Sequence, residues 1–134
     1  MSKQTDALRK RLAAIPQAVK QAVAPALLQS GQELADRMKA LVPVKTGALR
    51  DSIVVTPPGG TTPAHSGGGS RTAGENQVLV TAGNSDVRYV AHVEFGTKHS
   101  HAEPFFWPAY RLSKKREQGR IARAITRAVK EAAK

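Results

Sequence analysis

Along the first forty residues, apolar side chains return at helical steps: Leu8, Leu12, Ile15, Val19, Val23, Leu27, Leu34, Met38 and Leu41 are three or four residues apart, or sums of those steps. That spacing places them on one face and predicts a long N-terminal helix. Pro16 and Pro25 fall inside it. A proline removes one backbone hydrogen bond and crowds the preceding turn, so a kink or break is expected near one of them. Ser30-Gly31-Gln32-Glu33 has the form of a capping box that could open a second helix, but the apolar register runs through it and predicts continuation. Pro43 ends the helix, because the residue before a proline is pushed out of helical geometry.

Beyond that point the pattern changes. Ser52–Thr56 and Asn76–Ala82 are rich in β-branched residues and bounded by turn formers, which predicts two strands paired as a hairpin. Between them, residues 57–75 are dominated by Gly, Pro, Ser and Thr and contain almost nothing to bury, which predicts a long flexible hairpin loop. A short helix or strand follows, with Tyr89, Val93 and Phe95 facing inward and Gly96 at its end. Pro104 and Pro108 mark the start of a last helix, about residues 105–133, since proline is tolerated in a first turn where amides lack helical partners. The expected fold is therefore α+β and a single domain over residues 1–134: a long N-terminal helix, a small antiparallel sheet and a C-terminal amphipathic helix.

The last helix is predicted to have two faces. Ile121, Ile125, Ala128, Val129 and Ala132 form an apolar stripe, while Arg116, Arg120, Arg123, Arg127 and Lys130 recur on another side. The register set by Phe105, Ala109 and Leu112 shifts at Gly119, so a bend or end is expected there, with the distal half free to pack on a partner.

Charge sharpens this picture. The chain carries 21 Lys and Arg against 10 Asp and Glu, and residues 111–134 hold nine basic and two acidic residues, a surplus of seven. Such a field favours an anionic partner: DNA, RNA, an acidic protein surface or a membrane face. With no Cys there is neither a disulfide framework nor a thiolate metal site, which fits a reducing compartment. The polar start, Met1–Asp6, leads straight into the helical pattern, so neither a signal peptide nor a membrane span is expected and manufacture in the cytoplasm is.

Candidate chemistry thins out on inspection. Lys45-Thr46-Gly47 matches one element of the penicillin-binding enzymes, but no Ser-x-x-Lys or Ser-Asp-Asn accompanies it. The glycines of residues 59–69 precede no Gly-Lys-Ser/Thr and open no helix, which excludes a phosphate-cradling loop. His92, His99 and His101 gather near Glu94 and Glu103, yet without a His-Glu-x-x-His helix or an aspartate cluster. No catalytic residue, metal or cofactor is predicted, and Glu94 reads as a structural acceptor for Thr97 or a backbone N–H at the turn.

All six aromatic residues lie between Tyr89 and Tyr110. They belong to two strings, Tyr89-x-x-x-Val93-Glu94-x-Gly96-Thr97 and Pro104-Phe105-Phe106-Trp107-Pro108-Ala109, which follow the upstream turn Pro43-x-x-Thr46-Gly47-x-Leu49-Arg50-x-Ser52. In that order and spacing the chain resembles the small neck proteins of long-tailed bacteriophages, the tail-completion or head-tail joining family typified by the tenth gene product of a lambdoid siphophage. The resemblance implies a non-enzymatic structural protein of the virion neck, made in the host bacterial cytoplasm. It also implies a homo-oligomeric ring, six-fold by expectation, touching neighbouring neck and tail-tube proteins, with DNA passing through the lumen and no membrane involved. The structural anchors are expected to be Thr46, Gly47, Leu49, Tyr89, Glu94, Gly96, Pro104, Phe105, Phe106, Trp107 and Pro108. The stripe Arg116, Arg120, Arg123, Arg127 and Lys130 is the candidate surface for a partner or DNA. The alternative is a small nucleic-acid-binding protein whose basic helix tracks phosphates; against it, the aromatics sit among prolines instead of interleaving with the basic residues as a base-stacking surface would.

Overall fold

The computed structural model describes residues 3–43, 47–66 and 69–133, and within its first helix leaves aside the side chains of residues 3, 4, 8 and 11–16. Six elements follow one another: α1 (Lys3–Leu41), α2 (Ala48–Asp51), β1 (Val54–Thr56), β2 (Leu79–Thr81), α3 (Val90–Phe95) and α4 (Phe106–Ala132). The α+β architecture predicted from the pattern is the one observed. The two long helices pack against each other in opposite directions. Glu33 meets Arg116 and Arg120, whereas Ala18 and Ala22 share a groove with Ala124, Ala128 and Ala132.

α1 passes both Pro16 and Pro25 without a break, and it also continues through Ser30-Gly31-Gln32-Glu33. A break at a proline is thus excluded, while continuation past the capping-box sequence holds. Gly31 has another role. A Cβ there would stand 2.7 Å from Val78 Cγ1 and 3.1 Å from Val55 Cγ1, so the missing side chain lets the hairpin close onto α1. Of the expected stripe, Val23 and Met38 are buried and Leu34 packs against the core, whereas Leu41 is exposed; Ala35 and, just past the helix end, Val42 are buried as well. The side chains of Leu8, Leu12 and Ile15 lie outside the described residues.

β1 and β2 form a two-stranded antiparallel sheet, with Val54 opposite Thr81, Val55 opposite Val80 and Thr56 opposite Leu79. The hairpin is as predicted but each strand is shorter. The segment between them is tied together, contrary to the expectation that it has nothing to bury. Ala73 N–H donates to Gly60 O at 2.8 Å, Thr62 N–H donates to Arg71 O at 2.8 Å, and Thr61 bridges Thr72. Thr62, Ser66 and Ala73 are buried, because hydroxyls and backbone satisfy one another where apolar side chains are missing.

The core gathers Met38 from α1 and Val42 just beyond it, Leu49 from α2, Ile53, Ala82 and Val87 from the chain around the sheet, and Phe105 and Ala109 at the start of α4. Ser52, buried at the end of α2, donates its Oγ–H to Leu49 O at 2.6 Å and accepts Gly83 N–H at 3.0 Å. It thereby fastens α2 to the chain leaving β2. Among the described residues, no helix is long and apolar enough to cross a membrane.

Candidate assembly surface around the fourth helix

The two aromatic strings turn out to be a single device. Glu94 is buried, 6% exposed, and its carboxylate accepts the backbone N–H groups of Phe105 at 3.1 Å, Phe106 at 2.8 Å and Trp107 at 3.4 Å. The next residue, Pro108, has no N–H, and Ala109 N–H already reaches Phe105 O at 3.2 Å. Every amide of the first turn of α4 is thus satisfied without a capping side chain from the turn itself, and the negative charge sits at the positive end of the helix dipole. Glu94 is the structural acceptor foreseen from sequence, but its donors are these amides and not Thr97.

Gly96 makes that geometry possible. Its φ of 78° is a left-handed value, and a Cβ would lie 2.8 Å from Ala102 N as the chain doubles back from α3 toward α4. Glu103 N–H donates to Val93 O at 2.8 Å and closes the return. Gly47, with φ of 83°, leads into α2, where Leu49 is buried. Thr46 lies outside the described residues.

The inward residues of α3 are Val90, Val93 and Glu94. Tyr89 and Phe95, expected to face inward, are 42% and 69% exposed. Of the anchors around Pro104, Phe105 is wholly buried and Phe106 packs against the core, but Trp107 is 45% exposed and Pro104 is exposed. Trp107 stands edge-on to Phe106 with centroids 5.4 Å apart and to Tyr110 at 5.9 Å. The correction has a helical cause: residues 105 and 109 fill the core, so 107 and 110 rotate out toward solvent.

α4 is one uninterrupted helix through Gly119, so the helix does not end there, and its distal half packs back on α1. The buried line is Ala109, Ser113 and Ala128. Of the expected apolar stripe, Ala128 is buried whereas Ile125 and Val129 are exposed.

The basic stripe divides. Arg120 is a packed residue whose Nη1 and Nη2 hold Glu33 at 2.7 and 2.8 Å, with Nη1 also 2.9 Å from Glu117. Hydrogen bonds from this guanidinium hold the Glu33 carboxyl down at about 2. Glu117 goes the other way, raised chiefly by desolvation, with Glu33 adding to the shift. Arg120 is a lock between the helices, not a free partner-facing charge. Arg116 leans 3.7 Å from Glu33 and is itself exposed. Arg123, Arg127 and Lys130 are exposed, and their steps of four and three keep them on one flank. Ile125 is two residues from Arg123 and so about 200° around the helix. The distal helix therefore shows solvent a basic flank and, on a different side, an apolar one.

His92, His99 and His101 are all exposed, and among the described residues no group of three or more His, Cys, Asp or Glu converges to hold a metal. Sequence reasoning missed Gly31, Ser52 and the Glu33–Arg120 pair. Glu117 was the available signal for the last: an acid within a basic face, three residues before Arg120, already suggests an ion-paired arginine.

A protein-family model described as "Bacteriophage HK97-gp10, putative tail-component" matches residues 6–96, ending where α3 ends and before the start of α4. Neither a curated protein nor a solved structure matches the chain.

Proposed function

The chain belongs to the HK97-gp10-like family of bacteriophage tail components, and from that premise we propose that it is a tail-completion protein of the neck. It is a structural, non-enzymatic tail component that acts by contact with other virion proteins. In this reading copies close a ring, six-fold in symmetry, at the junction of head and tail, and DNA passes through the lumen. The observation that carries it is the division of α4: Arg120 is locked to Glu33, while Arg116, Arg123, Arg127 and Lys130 stay exposed along one flank. A basic row on a helix that Arg120 fastens to α1 is suited to register an anionic partner, because such charges steer encounter more than they hold the domain together.

Reversing Arg123, Arg127 and Lys130 to Glu tests this. Circular dichroism of the purified variant should match wild type, and electron microscopy of lysates should find DNA-filled heads and separate tails. Normal infectious particles would remove the row from any joining role. A second reading, single-strand nucleic-acid binding, is favoured by the exposed Trp107–Tyr110 pair next to exposed Arg111. Tight binding of the isolated protein to short oligonucleotides, falling steeply with salt, would select it.

A further inference from the structure

β2 has a strand on one side only. Apart from its pairing with β1, no backbone hydrogen bond among the described residues reaches Leu79–Thr81. The other side opens on a cavity of 510 Å³. Leu79, Val80, Thr81 and Ala82 all line it, and since successive side chains on a strand point to opposite faces, four consecutive lining residues mean that the cavity meets the strand's edge. Across from that edge stand Ala91 and Phe95 of α3 and Trp107 of α4, all exposed. Glu94 is in the wall as well, but its carboxylate is engaged by three amides. Arg71 completes the rim; it is exposed, and no carboxylate among the described residues lies within ion-pair distance of it. The Thr81 hydroxyl is buried without a partner.

We propose that this edge and cavity receive, as a third strand, an extended acidic segment of a neighbouring virion protein, an inference that rests on the reading of this chain as an assembly component. The free edge offers N–H and C=O groups to any extended chain, and the cavity takes that chain's alternate side chains. Arg71 selects a carboxylate. A second copy of the same chain, at net +11, is electrostatically the poorer occupant. The added strand also brings a three-residue, two-stranded sheet up to a size at which sheets are ordinarily stable.

Trp107 is the chain's only tryptophan and lines the cavity, so its fluorescence reports occupancy. The full chain is titrated with an N-acetylated eight-residue peptide of alternating valine and threonine carrying two glutamates, with the same peptide carrying two lysines, and with a twelve-nucleotide oligothymidylate. The glutamate peptide should bind saturably and at least about tenfold more tightly than its lysine counterpart. Arg71→Glu should reverse that preference, and Ala91→Phe, which fills the cavity from an exposed helix position, should abolish binding of both. Amide exchange at Leu79–Thr81 should slow in the bound state. Equal binding of the two peptides, indifference to Arg71→Glu, a fluorescence change without slowed exchange at Leu79–Thr81, or a response to oligothymidylate alone would overturn the proposal. In the virus, normal particles from a phage carrying both substitutions would overturn strand addition alone. Normal infectious particles from a phage lacking the gene would overturn the reading beneath it.

Discussion

The two ends of α4 are held by different physics. At its start Phe105 and Ala109 are completely buried, and Glu94 accounts for the first-turn amides that Pro108 does not remove. At its far end Ala18 and Ala22 of α1 and Ala124, Ala128 and Ala132 of α4 line a groove of 310 Å³ between the helices, with Arg127 and Glu131 at its rim. There Ile125 and Val129 remain 43% and 46% exposed. An alanine seam brings helices close but buries little area per residue. A chain that confines its six aromatics to residues 89–110 therefore concentrates its stability there. The distal helix, held by small side chains and one ion-pair cluster, keeps both flanks available to other proteins.

That contrast breaks most visibly at Phe105. Phe105→Ala should cost about 3–5 kcal/mol, the range for emptying a buried aromatic site, and should lower the chemical-denaturation midpoint far more than Trp107→Ala. Equal losses from the two would mean that Trp107 is as structural as its neighbour and that the proposed free edge cavity is already closed.

Glu94→Ala comes next, at about 2 kcal/mol, because three amides at the start of α4 lose their acceptor together. Glu94→Gln keeps one carbonyl oxygen but turns an N–H toward donors, so it should recover only part of the loss. Hydrogen exchange at Phe106 should accelerate in both variants while exchange beyond Gly119 stays as in wild type.

The ion-pair cluster gives a smaller effect with a definite sign. The Glu33 carboxyl is lowered from 4.5 to about 2 in the folded chain, so its stabilisation is complete above pH 4.5 and is lost as pH falls from there toward 2. Glu117, raised above 4.5, acts in the opposite direction: its burden is present at neutral pH and is relieved as pH falls through its folded value. Thermal melts at pH 7, 5 and 3 should show little loss to pH 5, then a drop by pH 3. Glu33→Gln should lower the neutral melting temperature and flatten that drop. A drop of undiminished size in the variant would assign it to other carboxylates.

The smallest change is expected on the basic flank. Arg123→Glu with Lys130→Glu alters exposed residues only, so each should shift stability by no more than about 0.5 kcal/mol. A loss much larger than this, read by the same melts, would show that the far end of α4 is as tightly held as the near end.

Much of this molecule is legible along the chain. The period of the apolar residues gives α1, the β-branched runs between turn formers give the hairpin, and the Pro104–Pro108 spacing gives the start of α4, because each of these is set by local geometry. The motif order in residues 43–109 likewise carries the resemblance to the family whose model matches residues 6–96. Exposure was another matter. Trp107, Tyr89, Phe95, Ile125 and Val129 are large and apolar, yet all five are exposed. Hydrophobicity states what a residue would gain by burial and not whether a neighbour lies within reach.

The sequence by itself determined the two long helices, the hairpin, the basic surplus and the family, since those depend on spacing and composition within short stretches. Only the tertiary structure decided that Glu94 serves the first turn of another helix eleven residues away, that Gly31 admits the sheet, and that Arg120 is locked across 87 residues to Glu33 while Arg123, Arg127 and Lys130 stay exposed. The reason is common to all three: each depends on the distance between groups that the chain brings together only after its elements have packed, and no periodicity along one element records which residue of another will lie opposite.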